Sequence, residues 1–217
     1  MKKFLFVFDI DDTLIKDKSL LLDDGPIFKS PLEIKTIREQ MHRALEQGDD
    51  IWILTANFRY TDAHLKKLFE PDTNHLFDKI KIFTRKDMTA AFGIKENDRP
   101  ALYGINDNGR KPEFLVQKIA DTYDLKQDVV HCVLFDDHKA HIDNCSTCST
   151  SRIKIEGYQV NDFKDYSPSS FFQKPTTLSE EFTARVTESA KYKSLSEESI
   201  IQESIIQESI NPACFIA

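Results

Sequence analysis

Three largely apolar runs recur along the chain: Phe4–Phe8, Ile51–Leu54 and Val129–Phe135. Runs of this kind are typical of central parallel strands whose two faces are both covered. Each run ends in polar side chains, which are Asp9, Thr55 and the pair Asp136-Asp137. Open parallel sheets bind ligands at the carboxyl ends of their strands. The pattern therefore predicts a site at that edge of a sheet.

Segments with helical spacing separate these strands. Ser30-Pro31-Leu32-Glu33 combines a capping serine with proline at the first helical position, which marks a helix start, and Gly48 ends that helix. The remaining predicted elements are a helix over Thr61–Phe69, a half-exposed strand over Lys79–Thr84, a helix from Pro112, a short helix through Ile142 and a strand over Arg152–Ile155. Together they predict a doubly wound α/β domain of about five parallel strands over residues 1–160.

The character of the chain changes beyond residue 160. Pro, Ser, Thr, Glu and Lys dominate, and the motif Glu-Ser-Ile-Ile-Gln begins at Glu198 and again at Glu203. A five-residue period fits neither a helix stripe nor a strand, so no core is assigned to this repeat. Residues 161–217 are predicted to form a partly disordered or helical extension. Whether it docks on the domain stays open.

Charge and cysteine content limit the class of protein. There are 36 acidic and 29 basic side chains, and this balance disfavours a nucleic-acid partner. No stretch approaches the roughly 20 apolar residues of a membrane span, so no stable membrane insertion is expected. The four cysteines are too few for a disulfide framework. We expect a soluble protein made in a reducing cytoplasm, with a monomer favoured.

Three carboxylates, Asp9, Asp11 and Asp12, follow the first predicted strand closely. Clustered carboxylates repel one another, and oxygen ligands suit a hard cation such as Mg²⁺. The alternative is a solvated loop after a core strand.

Four separated motifs over residues 4–144 resemble, in order, those of the haloacid dehalogenase (HAD) superfamily of phosphatases. The first is its DxDxT signature, matched by Asp9, Asp11 and Thr13. The resemblance implies that Asp9 is the nucleophile, Asp11 the general acid/base, Thr55 the phosphate-binding hydroxyl, Lys111 the lysine of the third motif, and Asp136 and Asp137 the acids of the fourth. Each of these residues alone also fits a cap, a surface position or a turn.

The resemblance also implies a set of ligands. Mg²⁺ would be held by the side chains of Asp9 and Asp136 and by the main-chain carbonyl of Asp11, with Thr13 and Asp137 in the layer around them. The substrate would contact Thr55, Ala56, Asn57 and Lys111. We expect the metal and Lys111 to keep the pKa of Asp9 low, whereas Asp11 needs a raised pKa to donate a proton.

A second cluster lies on the predicted helix through Ile142: His138, His141, Cys145 and Cys148 share one helical side. Zinc uses such ligands, but four along one helix span too much length to surround one ion. The two cysteines also have the spacing of a redox pair. The favoured interpretation is a helix packed on the sheet, with a histidine near the metal edge.

The spacing of the motifs leaves little room for a cap domain. A flap over residues 14–29 precedes the first helix, and only about 25 residues, within 85–110, remain for a lid. A capless or minimally capped enzyme of this kind would admit a protein substrate, with phosphotyrosine as first choice. The glutamate-rich tail resembles the signals of type IV-secreted bacterial effectors that act in a host cytosol. The alternatives are a phosphatase of a small metabolite and a binding module without chemistry.

Overall fold

A parallel sheet of five strands forms the centre of the computed structural model, which describes residues 2–15, 31–56, 66, 75–95, 98, 104–105, 108–161 and 176–210. The strands are β1 (Lys2–Phe8), β2 (Asp50–Leu54), β3 (Lys81–Phe83), β4 (Val129–Asp136) and β5 (Ile153–Gln159). Their order is β3-β2-β1-β4-β5, and all neighbours are parallel. This arrangement confirms the predicted doubly wound α/β fold.

Helices flank the sheet. They are α1 (Pro31–Glu46), α2 (Leu76–Lys79), α3 (Arg85–Ala91), α4 (Lys111–Thr122), α5 (Lys139–Cys148) and α6 (Leu178–Ile210). The predicted helix over 61–69 lies outside the described residues apart from Lys66, and so does the predicted flap beyond Ile15. No helix among the described residues combines the length and apolar character that a membrane span requires.

The two faces of the sheet build two separate cores. Successive residues of a strand point to opposite faces, so Phe6 of β1 packs with α1 and α6 while Val7 packs with α4 and α5. Both side chains are fully buried. This double covering is the physical reason that β1 is apolar without interruption from Phe4 to Phe8.

Helix α6 covers the face of the sheet that carries Phe6. The Phe182 ring lies edge-to-face against Phe6, Phe8 and Phe135, at centroid distances of 5.3, 4.9 and 5.8 Å. Leu178 and Val186 share this core, four residues before and after Phe182. The extension after residue 160 therefore docks on the domain, through apolar residues at helical spacing that precede the repeat.

A buried polar contact also holds α6 near the amino-terminal end of β2. Asp49, which lies just before β2, is 3% exposed and accepts hydrogen bonds from Ser189 Oγ at 2.9 and 2.8 Å. The Lys193 ammonium also donates to Asp49 and to the carbonyl oxygen of Gln47. Because a buried carboxylate needs such partners, this contact specifies how α6 lies along the sheet.

The described part of the segment 85–110 belongs to the layer that covers the sheet. In α3, Met88 is fully buried in the core beneath α4. The Phe92 ring packs edge-to-face on Phe114 at 6.3 Å, and the Arg110 guanidinium lies 3.8 Å from the centre of the Phe92 ring. Residues 85–92 are therefore anchored to the domain by their own side chains.

The role of α6 is tested by truncating Phe182. We expect Phe182→Ala to lower the free energy of unfolding by about 3–5 kcal/mol, because it leaves a cavity among three aromatic rings. Leu195→Ala on the same helix removes a side chain that is 63% exposed and should change stability by about 0.5 kcal/mol or less. Denaturant unfolding measures both. Equal stability of the two variants would contradict the docked position of α6.

Candidate active site

The site forms where the sheet reverses its direction of winding, between the carboxyl ends of β1 and β4. These strands pair in register through Phe8 and Phe135, and the Asp9 amide continues the ladder by donating to the Phe135 carbonyl at 2.9 Å. Asp9 and Asp136 are therefore neighbours on adjacent strands. This is the edge at which open α/β sheets bind ligands.

Lys111 lies between these two carboxylates. Its Nζ atom is 2.7 Å from Asp9 Oδ1 and 2.7 Å from Asp136 Oδ2. All three side chains are buried, with 3% exposure for Lys111, 7% for Asp9 and 0% for Asp136. The sequence-predicted nucleophile, lysine and metal ligand thus meet at one point although they are far apart along the chain.

Asp137 joins the same cluster. Ligand oxygens of Asp9, Asp136 and Asp137 lie within 4.8 Å of one another, and this is the one group of potential metal ligands among the described residues. Three carboxylates against one ammonium leave an excess of negative charge, and an oxygen-only set suits Mg²⁺. The residues therefore fit the expected cation.

The sequence analysis places Asp137 in the layer around the ligands, and its carboxylate lies within reach of Asp9 and Asp136. Neighbouring residues of a strand point to opposite faces, but β4 ends at Asp136 and the chain turns there into α5. The Asp136 Oδ1 atom accepts a hydrogen bond from the His138 amide at 2.8 Å in this turn. Because Asp137 follows the last residue of β4, its side chain does not have to point to the opposite face and can lie near Asp9 and Asp136.

Burial controls the protonation of these acids. It raises the pKa of Asp9 well above its usual range, and this effect outweighs the opposing charge of Lys111. The pKa of Asp137 is raised to about 7, first by burial and then by the charge of Asp136. Burial opposes the charge on Lys111, but Asp136 and Asp9 raise its pKa, so the ammonium stays protonated.

The expected low pKa of Asp9 is thus not a property of the chain alone. Lys111 is shared between two carboxylates, and its charge does not offset the desolvation of Asp9. A cation bound to the acids would supply the missing positive charge, because a nearby charge of opposite sign favours the ionised form.

A tight turn after β1 carries the other acids of the first motif. The Ile10 carbonyl accepts hydrogen bonds from the amides of Thr13, Leu14 and Ile15, at 3.3, 2.9 and 3.0 Å. Asp11 is half-buried, and its charge acts on Asp9. Thr13 is fully buried, and Asp12 has a φ of 50°, the left-handed conformation that aspartate tolerates in turns.

Thr55 and Ala56 follow β2, the strand on the other side of β1. Both are buried, and the Thr55 amide donates to the Phe83 carbonyl at 3.0 Å. They therefore lie at the same edge of the sheet as Asp9. Asn57, the further predicted substrate contact, lies outside the described residues.

The histidines and cysteines of α5 do not converge on one ion. His138 is exposed, whereas Cys145 is buried and donates from Sγ to the His141 carbonyl at 3.3 Å. Burial raises the pKa of Cys145 to about 12 and also raises that of Cys148, which disfavours the reactive thiolate. The arrangement is that of a helix packed on the sheet, with His141 in contact with the backbone amide of Lys111.

Sequence reasoning missed one residue at this edge. Asn144 of α5 donates from Nδ2 to the carbonyls of Asn108 and Gly109, at 2.9 and 3.2 Å, just before Lys111. Its partners lie more than thirty positions away along the chain, so no local pattern marks it.

Comparisons of the chain with protein-family models, with curated proteins and with solved structures found no match. The resemblance to HAD phosphatases therefore stays a prediction from the sequence motifs.

The pKa of Asp137 predicts how Mg²⁺ binding depends on pH. A carboxyl with a pKa of about 7 is about nine-tenths ionised at pH 8 and about one-tenth ionised at pH 6. Protonated acids do not bind the cation, so we expect affinity to fall by about tenfold or more from pH 8 to pH 6, because the raised pKa of Asp9 acts in the same direction. Calorimetric titration with Mg²⁺ measures this. Asp137→Asn should reduce the pH dependence, and equal wild-type affinity at both pH values would contradict it.

Proposed function

We propose that the protein is a Mg²⁺-dependent phosphatase that hydrolyses phosphoric monoesters through an aspartyl-phosphate on Asp9. The observation that carries the proposal is the position of the Lys111 ammonium, 2.7 Å from both Asp9 and Asp136, with Asp137 in the same cluster. A solvated loop has no need of a buried lysine between two acids. A buried charge cluster of this kind is costly and is typical of functional sites.

The acids supply the ligands and the nucleophile. Asp9 and Asp136 would hold Mg²⁺ through their side chains and Asp11 through its main-chain carbonyl, and the ion would neutralise negative charge on the carboxylates and on the phosphoryl group. Asp9 is the first choice of nucleophile because it is the first acid of the sequence motif and its carboxylate lies 2.7 Å from the Lys111 ammonium. Its backbone amide donates to the Phe135 carbonyl, which holds its main chain at the sheet edge.

The reaction has two steps. In the first, an Asp9 oxygen attacks phosphorus, the bond from phosphorus to the ester oxygen breaks, and Asp11 gives its proton to the leaving alcohol or phenol. In the second, Asp11 takes a proton from water as the water oxygen attacks the same phosphorus. The acyl phosphate bond breaks, and orthophosphate leaves with Asp9 restored as a carboxylate.

Lys111 and Thr55 hold the phosphoryl oxygens during both steps. The Lys111 ammonium donates a hydrogen bond to Asp136 and forms an ion pair with Asp9. An ammonium carries three N–H donors, so it can also donate to an oxygen of the transferring group. Donors that are already oriented by the protein stabilise the charge of the transition state most effectively.

We further propose phosphotyrosine in proteins as the substrate. The described part of the segment 85–110 supports this because α3 and Phe92 are packed on the domain and do not form a separate cap. An open site admits a protein surface, and a phosphotyrosine side chain is long enough to reach a recessed nucleophile. Delivery to a host cell by type IV secretion stays a prediction from the tail sequence.

The reaction is tested with p-nitrophenyl phosphate. We expect Mg²⁺-dependent release of phosphate that falls by a factor on the order of a thousand or more in Asp9→Asn, because an amide cannot form the phosphoryl intermediate. Asp143→Asn, an equivalent change at an exposed position on α5, serves as the matched control and should keep wild-type activity. Activity that is equal in wild type and Asp9→Asn would favour the binding-module alternative.

The substrate class is tested by comparing kcat/KM for phosphotyrosine, phosphoserine and phosphothreonine peptides with a panel of small phosphate esters. We expect phosphotyrosine peptides to be preferred by about tenfold or more, since contacts with the ring and the flanking peptide add binding energy that small esters cannot supply. A preference for one small ester would contradict the protein-substrate proposal and favour the metabolite phosphatase.

A further inference from the structure

The residues that lead into Lys111 are tied to α5 by a pair of hydrogen bonds. Asn144 Nδ2 donates to the carbonyl oxygens of Asn108 and Gly109, at 2.9 and 3.2 Å. These two carbonyls belong to the turn that precedes α4, and Asn144 lies in the second half of α5. One amide group thus fixes two successive peptide units immediately before the lysine.

A second contact reaches Lys111 itself. Its backbone amide donates to His141 Nδ1 at 3.3 Å, and both residues are buried. The amide lies in the first turn of α4, where the N–H groups have no partner inside the helix. Burial, followed by the charge of Lys111, lowers the pKa of His141 to about 3, so Nδ1 remains a neutral acceptor at physiological pH.

Gly109 makes the close approach of the turn and α5 feasible. Its φ is 62°, and a Cβ atom placed there would lie 2.2 Å from the carbonyl oxygen of Ala140. A side chain at this position would therefore push the turn away from α5. The turn and the helix are in backbone contact, with no space for an intervening group.

We propose that Asn144 and His141 are positioning residues that hold the 108–111 turn so that the Lys111 ammonium lies between Asp9 and Asp136. This inference rests on the proposed phosphatase function. These hydrogen bonds of Asn144 and His141 to residues 108–111 are called the clamp below. Helix α5 begins three residues after Asp136, the last residue of β4, so the clamp holds the backbone of Lys111 against the segment that follows this acid.

The clamp addresses the flexibility of lysine. A lysine side chain has four rotatable bonds and a single charged end, so the position of its ammonium depends on where its backbone is held. Misplacement of a catalytic group by about 1 Å can cost about a hundredfold in rate. Hydrogen bonds that hold the Lys111 backbone beside the acids would prevent this loss of rate, because functional side chains depend on the contacts around them for their position.

The decisive experiment is a double-mutant cycle between Asn144→Ala and Lys111→Met. In the wild-type background, Asn144→Ala should lower kcat for p-nitrophenyl phosphate by about tenfold to a hundredfold with a smaller change in KM. In the Lys111→Met background it should have little further effect, because there is no ammonium left to position. Ser146→Ala, an exposed change on the same helix, is the matched control and should leave kcat unchanged. An equal loss in both backgrounds would overturn the proposal.

Replacement of His141 gives an independent test. His141→Leu removes the acceptor for the Lys111 amide, whereas His141→Asn provides a side-chain oxygen near the position of Nδ1. We expect kcat to fall in His141→Leu and to recover at least partly in His141→Asn. Thermal unfolding of both variants identifies any general loss of stability. Equal loss of kcat in both, at equal melting temperature, would contradict a role for this hydrogen bond.

Acetylation of Lys111, followed by mass spectrometry, separates failure of the clamp from failure of the proposed function. In the wild type Lys111 should react far more slowly than the exposed Lys139, because it is buried between two acids. Asn144→Ala should raise its reactivity by about tenfold, since a released turn exposes the amine. If neither the wild type nor any variant has phosphatase activity, the proposed function is wrong, and the labelling result alone tests whether the clamp positions Lys111. Unchanged protection of Lys111 in Asn144→Ala would overturn it.

Discussion

The contact on which the site depends is the buried ion cluster of Lys111 with Asp9 and Asp136. Charges removed from water are costly unless they are paired, and removal of one partner leaves the others uncompensated. The ammonium offsets part of the repulsion between carboxylates that adjacent strand ends force together. Asp137 adds further negative charge. The proposed chemistry depends on this excess of negative charge, which the proposed Mg²⁺ ion would neutralise.

The cluster lies at the end of the central part of the sheet, where the surrounding strands and helices bury its side chains. The central strand β1 has neighbours on both sides, and its two faces are covered by separate helical layers. Helix α6 completes one layer, through Phe182 at one end of the contact and through Ser189 and Lys193 at Asp49 near the other. The apolar contact buries Phe182, and the polar contact specifies how the helix lies along the sheet. The described helices cover the faces of the sheet, and the acid cluster lies at its carboxyl edge.

Much of this architecture follows from local patterns in the chain. Apolar runs of strand length, separated by helix starts and stops, predict a doubly wound sheet, because only strands covered on both faces lack polar alternation. The order of the motifs then places Asp9, Thr55 and Asp136 at the ends of three neighbouring strands. The carboxyl ends of parallel strands share one edge, so the sequence alone brings these residues to one region. It also identifies Lys111 by its place before a helix.

Tertiary structure decided the remaining features, because each depends on contacts between residues far apart in the chain. The 2.7 Å contacts of Lys111 and the clamp through Asn144 join segments separated by more than twenty positions. Docking of α6 depends on a core that forms only after the sheet is assembled. The protonation of Asp9 likewise depends on burial, which no residue pattern reports. Local sequence determined which groups reach the site. Packing determined the distances between them, their protonation and the hydrogen bonds that hold them in place.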